Sequence, residues 1–192
     1  MTDWGVHHLD IVQMIMGVDA PTTITAMGGK YELKDNRETP DTLMVTYEYS
    51  QSPQGSFVCT YENRECNGHT LNGQGYGISF HGTDATLFIN REYFEIVAER
   101  GRRSYDPSKV RNNNNQSTAH QRNFLECVKS RELPTSDIEI GHRSTSACLL
   151  GNIALRSGRR ILWDSKAEKI VSDQAASKYL SREYRKPWKL NV

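Results

Sequence analysis

The sequence predicts an α+β domain, because strand signals gather in its first half and helix signals in its second. Alternation is the first observation. Leu43, Val45, Tyr47 and Tyr49 fall on one side of an extended Thr42–Tyr49 segment. The Ser50–Gly55 turn then leads back into Ser56–Glu62, the pattern of a hairpin. The second observation is the change of period after residue 117, where apolar residues begin to recur at helical spacing. The third is the lack of an alternating strand–helix–strand order or of any fixed-period repeat. At 192 residues the length fits one domain spanning 1–192.

Taken in order, Asp3 to Met16 reads as a helix, with Thr2 as N-cap, Asp3 where the helix dipole favours an anion, and Gly17 closing the end. Trp4, Val6, Leu9, Ile11, Val12, Ile15 and Met16 cover most of its circumference, which predicts a buried helix. The remaining stripe is Asp3–His7–Asp10–Met14. Thr22–Gly28 alternates weakly. Beyond the first hairpin, Tyr76–Phe80 and Ala85–Ile89 flank a Gly82-Thr-Asp turn, and Tyr93–Glu99 adds a strand. Successive hairpins imply antiparallel or mixed pairing. Gly101–Ser117, with four consecutive Asn residues, reads as a mobile loop. Thr118–Arg131 reads as a helix packing through Phe124, Leu125 and Val128. Ile138–Arg156 reads as another, with Ile140, Ala147, Leu150, Ile153 and Ala154 buried and Gly158 ending it. Ile161–Trp163 is a short strand and Gln174–Leu180 a last short helix.

Composition removes several classes. Twenty-four Lys and Arg balance 23 Asp and Glu, so no basic footprint for nucleic acid or anionic membrane exists. No apolar run approaches the ~18 residues of a membrane span, and the N-terminus has no signal-peptide core. Cys59, Cys66, Cys127 and Cys148 lack zinc-type spacing and read as reduced thiols, with a Cys59–Cys66 bridge the competing arrangement.

The chemistry concentrates at Asp3-Trp-Gly-Val-His7-His8-Leu-Asp10. One helical turn separates Asp3 from His7, so the carboxylate can orient and tune an imidazole that accepts a proton. The competing reading is an Asp at a helix start and a core His. Asp3, His7, His8 and Asp10 also suit a divalent metal, with a metal-dependent lyase or isomerase built on Asp3, His7 and Asp10, but adjacent His7 and His8 point about 100° apart on a helix, so no metal site is assigned. Gly73-Gln-Gly75-Tyr-Gly77 leads into a strand rather than a helix, so it is read as a hairpin element and no cofactor-binding residue is assigned. His81 reads as a strand-end residue, and His142 as a structural donor or a cleft residue.

The order of these motifs resembles the C-terminal domain of the Gfo/Idh/MocA oxidoreductases, most closely its bacterial-type subgroup. The carriers are the Asp3-x-Gly5-x-His7-x-x-Asp10 helix with Gly17 and Pro21, Pro40-Asp41-Thr42, Tyr76–Thr83, Asn123–Ser130, Gly151-Asn152-Ile-Ala, and the tail Ser181–Trp188. The resemblance implies an open, mainly antiparallel sheet with helices on one face, like the C-terminal domain of glyceraldehyde-3-phosphate dehydrogenase-like enzymes. It implies His7 as proton acceptor, Asp3 as its tuning partner, and Asp10 and His8 beside a sugar or polyol substrate. NAD or NADP would sit in a Rossmann domain that these residues lack, so the chain alone is expected to be inactive, and Met1 to be an internal residue or truncated start. A homo-oligomer through the sheet face is implied, and a non-enzymatic oligomerisation module is the alternative. A cytoplasmic location is favoured, with the periplasm open if an export signal lies upstream.

Overall fold

The computed structural model describes residues 1–70, 73–101 and 108–189. In chain order it contains α1 (Trp4–Met16), β1 (Thr23–Gly29), β2 (Thr42–Tyr49), β3 (Phe57–Arg64), β4 (Ile78–His81), β5 (Ala85–Ile89), β6 (Tyr93–Ala98), β7 (Ser108–Arg111), α2 (Gln116–Ser130), α3 (Ile138–Ser157), β8 (Ile161–Asp164), β9 (Lys169–Ile170) and α4 (Gln174–Ser177). The α+β class and the antiparallel pairing hold, and the strands are shared between two sheets. Two compact units result: Met1–Asn67 with Glu139–Val192, and Gly68–Ile138.

The first unit is built on the order β3-β2-β1-β8-β9. The alternation in β2 works as read: Leu43, Val45, Tyr47 and Tyr49 are buried while Met44, Thr46 and Glu48 are exposed. Cross-strand partners extend this division, with Val45 opposite Ala26 and Tyr61, and Tyr47 opposite Ile24 and Cys59. Leu9 of α1 and Ala147, Cys148, Leu150, Ile153 and Ala154 of α3 complete the core, so both helices cover the same sheet face. Glycine sets their approach. A Cβ on Gly151 would lie 2.6 Å from the Tyr47 hydroxyl and 3.2 Å from Val45 Cγ1, and one on Gly5 would meet Met1 and Cys148. Removing the β-carbon therefore lets α3 settle onto β2, and α1 onto α3.

Asp41, fully buried, organises the long connection from β1 to β2. Its Oδ2 accepts the backbone N–H groups of Tyr31, Glu32 and Leu33 at 2.9–3.0 Å, and its Oδ1 accepts the Thr42 hydroxyl at 3.0 Å. The N–H groups of Leu33 and Glu32 do most to hold the carboxyl down to about 2, with Tyr31 and Thr42 adding to them.

The second unit has the order β4-β5-β6-β7. Its buried apolar residues are Phe88 and Tyr93, whose rings lie 5.5 Å apart. Lys109 Nζ sits 3.9 Å over the Tyr93 ring. Asn115 caps α2 by accepting the Thr118 N–H, and Arg131 ends it in the left-handed region at φ 65°.

Several expectations need correction. The α1 cap is Asp3 rather than Thr2, and it makes no side-chain capping bond. The helix is not buried all round: only Gly5, Leu9, Val12 and Gln13 are buried, while Trp4 and Met14 are exposed. Apolar residues cover more of its circumference than one sheet and one helix can enclose. The loop expected at Gly101–Ser117 contains β7, because Ser108–Arg111 finds a partner edge on β6; residues 102–107 lie outside the described residues. Phe124, Leu125 and Val128 form no buried packing face, since α2 has no buried residue. Ile140, in the first turn of α3, is 41% exposed rather than buried. The last helix stops at Ser177, with single-turn hydrogen bonds continuing to Leu180. The two-residue β9 gives no periodic signal and is formed by pairing with β8.

Candidate active site

Helix α1 is held on one side and open on the other. Leu9 and Val12 anchor it in the first unit, and Gln13 Nε2 donates to the Asp19 carbonyl at 3.1 Å. Asp10 Oδ1 accepts the Ser144 hydroxyl of α3 at 2.6 Å, and that hydroxyl also approaches the Ile140 carbonyl at 3.0 Å. This fixes the rotation of α1 about its axis. Asp3 and His7 consequently occupy the exposed side, one turn apart. Both polar groups are open to solvent, the arrangement a general base and its carboxylate need to meet a ligand.

The other residues singled out from sequence divide between roles. The His8 ring lies 6.0 Å from Trp4 and 6.4 Å from Tyr61 of β3, so it faces the sheet side. Asp10 is engaged with Ser144, a contact no spacing rule could reveal because 134 residues separate the pair. Tyr61, buried, has its hydroxyl pushed up to about 12, mainly by burial, with the charges of Cys148, Asp3 and Glu65 adding to the shift.

Other polar groups read as structural. His142 Nε2 lies 2.7 Å from Glu168 Oε1, and Arg143 joins the same carboxylate, tying α3 to the turn between β8 and β9. His81 Nδ1 lies 3.3 Å from the Thr86 hydroxyl at the β4–β5 turn. A polar recess of about 400 Å³ in the second unit is lined by Arg91, Glu92, Arg111 and Asn112–Ser117. Its amides brace a turn, since Asn112 Nδ2 and Gln116 Nε2 both donate to the Arg91 carbonyl. The four cysteines are free, so the competing Cys59–Cys66 bridge is not formed. Burial pushes the Cys59 thiol up to about 11 and the Cys148 thiol up to about 12, which makes both poor nucleophiles.

Among the described residues no three His, Cys, Asp or Glu side chains are grouped to hold a metal ion. Gly77 leads into β4, and a Cβ there would lie 2.4 Å from Phe88 ring atoms, so this glycine accommodates a neighbouring side chain. The described segments contain no strand, glycine-rich turn and helix in sequence to cradle a pyrophosphate.

Comparison with known proteins places this architecture. Residues 103–190 match the Gfo/Idh/MocA group described as "Oxidoreductase family, C-terminal alpha/beta domain". Over those residues the chain matches that family's C-terminal domain. The chain is 30% identical over 73 residues to trans-1,2-dihydrobenzene-1,2-diol dehydrogenase of Sus scrofa, covering 38% of this chain and 21% of that protein. It shares its fold with a protein of Thermotoga maritima assigned as an oxidoreductase, at a TM-score of 0.63 and 14% identity, over 84% of this chain and 46% of the other. It also resembles the WlbA dehydrogenase of Bordetella pertussis, solved in complex with NADH and UDP-GlcNAcA, at a TM-score of 0.51 and 14% identity, over 84% of this chain and 44% of the other. The chain thus spans about half the length of these solved structures.

Proposed function

We propose that this chain is the substrate-side domain of an NAD(P)-dependent oxidoreductase acting on a sugar or polyol, with His7 as the proton acceptor. The observation that carries the reading is the placement of His7 and Asp3 together on the open side of a helix whose other side is locked by Leu9, Val12 and the Asp10–Ser144 bond. In this reading His7 takes the proton of a carbinol hydroxyl as that carbon becomes a carbonyl. Asp3 stabilises the imidazolium that forms. Asp10 and Ser144 set the angle at which the base is presented. NAD or NADP would be held by a Rossmann domain that these residues do not contain, so the chain alone is proposed to be inactive. Two relatives support a ring-shaped, hydroxylated substrate: one is named for a cyclic diol and the other was solved with a nucleotide sugar.

The test is kinetic. In an enzyme assembled with a dinucleotide-binding domain, His7→Ala should lower kcat by ~10²–10⁴. Asp3→Asn should produce a smaller loss and move the pH profile of kcat/KM. Unchanged kcat in His7→Ala would remove the base from this reading.

A second reading, a module that assembles copies of itself, is favoured by the outer face of the first unit's sheet. Met27 is 77% exposed, Met44 54% and Val58 64%, more apolar surface than a solvated antiparallel face ordinarily presents. The two readings are compatible, since this face lies opposite the one that packs on α1 and α3.

A further inference from the structure

The tie between α3 and the β8–β9 turn ends one residue from the bond that fixes α1. Ser144, whose hydroxyl donates to Asp10, directly follows His142 and Arg143. Ser144 is also the first buried residue of α3, so packing against the core begins only there. Ahead of it the contacts to the turn are polar. Arg143 Nη1 donates to the Ser165 carbonyl at 3.1 Å and lies 3.3 Å from Glu168 Oε1, and His142 Nε2 lies 2.7 Å from the same oxygen. Glu139, one turn earlier in α3, also pairs with Arg143. The turn is itself anchored. Asp164 Oδ1 accepts the Lys166 and Ala167 N–H groups at 3.0 Å, and Trp163 pairs with the buried Ile170. Glu168 stands in the left-handed region at φ 50°, which glycine enters freely and a residue with a β-carbon does not. A turn built only to connect two strands would be relieved by glycine there. The strain falls instead on the residue whose carboxylate reaches back to α3. The bond to His142 does most to hold that carboxyl below its ordinary range, against the opposing effect of burial, and the charge of Arg143 adds to it.

We propose that Glu168 and Arg143, with His142, are positioning residues for the proposed base: they clamp the start of α3 to the sheet, so that Ser144 holds Asp10 and α1 presents His7 at a fixed angle. This deepens the proton-acceptor reading and rests on it. The path is continuous. β8 pairs with β1 in the middle of the sheet, the β8–β9 turn carries Glu168, and Glu168 holds His142 and Arg143. The Ser144 hydroxyl then reaches Asp10 at 2.6 Å. Asp10 lies three residues after His7, so the two are neighbours on α1. The clamp is half in solvent: His142 keeps 47% of its side-chain surface exposed and Glu168 44%. Pairs this exposed add little to folding stability. Their effect here is geometric, because the first turns of a helix fray unless their groups find partners. Without Glu168 the start of α3 is released and Ser144 drifts from Asp10. A misplacement of about 1 Å at a reacting group can cost ~10² in rate.

The deciding variant is Glu168→Gly, which removes the carboxylate and suits the backbone of the turn. In the intact chain the backbone amide resonances of His7 and Asp10 are expected to move, in the same direction as in Ser144→Ala, while the urea midpoint stays near that of the unaltered chain. Glu168→Gln should return both resonances most of the way, since one side-chain oxygen, Oε1, serves His142 and Arg143 alike. Adding Glu168→Gly to Ser144→Ala should move them no further, because both changes act on one path. In the assembled enzyme used to test His7, Glu168→Gly should lower kcat by ~10–10² and leave KM in place. Stationary His7 and Asp10 resonances in Glu168→Gly, displacements that add in the double variant, or an effect on KM alone would each overturn the clamp. Failure of the base reading looks different: His7→Ala would then keep its kcat while Glu168→Gly still moved the α1 resonances. Failure of the clamp alone would leave His7→Ala impaired and the α1 resonances of Glu168→Gly unmoved.

Discussion

Asp41 is a carboxylate enclosed by donors: three backbone N–H groups and a hydroxyl surround it, and no part of the residue reaches solvent. Such a group favours its charged form, so its pKa lies at about 2 instead of near 4. A carboxyl depressed in the fold stabilises it fully above the unfolded value and loses that contribution as pH falls through the folded value. The stabilisation of the β1–β2 connection should therefore be complete at neutral pH and decline between about pH 4 and pH 2. The amide resonances of Tyr31, Glu32 and Leu33 should titrate together near the low end of that window, and Asp41→Asn should abolish the titration. Titration near pH 4 alongside exposed carboxylates would contradict the arrangement. Pro40-Asp41-Thr42 could be picked out in the sequence, but its three amide partners could not. They become neighbours only when the chain from 30 to 41 folds back over the end of β1.

At the scale of elements, α3 shows which parts of the packing are legible. Ala147, Leu150, Ile153 and Ala154 are buried as their spacing predicts. The depth of contact is set by Gly151, whose absent side chain leaves room for the Tyr47 hydroxyl. Gly151→Ala should destabilise the first unit by about 1–3 kcal/mol, the usual cost of overpacking, measured as a shift of the urea midpoint. Combining it with Tyr47→Phe, which removes the nearest obstructing atom, should recover part of the loss. Strict additivity of the two changes would show that the contact does not limit the helix approach. For α2 the same kind of reasoning fails: Phe124, Leu125 and Val128 have helical spacing, yet the described residues bury none of them. Periodicity reports that an apolar stripe exists, and burial depends on a surface supplied from elsewhere in space.

At the scale of the whole molecule, the first unit's sheet has one covered face and one open face. Met27 pairs with Met44, and Thr46 with Thr25 on one side and Thr60 on the other, so the open side carries adjacent rows of flexible apolar and small β-branched residues. If this face assembles two copies, as the second reading holds, light scattering should give a concentration-dependent dimer mass. Met44→Lys should shift it to monomer while leaving the far-ultraviolet circular dichroism unchanged, since Met44 makes no part of the core. A wild-type mass that stays monomeric at every concentration would end that reading. His7→Ala should not alter the mass, which keeps the two proposed roles separable.

Local chemistry determined a great deal of this protein. The α+β class, the β2–β3 hairpin, the inward face of β2, and the Asp3–His7 spacing all depend on residues close in the chain, where the periods of strand and helix act directly. Only the tertiary structure decided which side of α1 faces water, that Asp10 is bonded to Ser144, that the strands belong to two sheets, and that His8 lies between the rings of Trp4 and Tyr61. Those outcomes arise from surfaces meeting across long sequence separations. No periodicity records such meetings, because both partners retain their local pattern whether or not they touch.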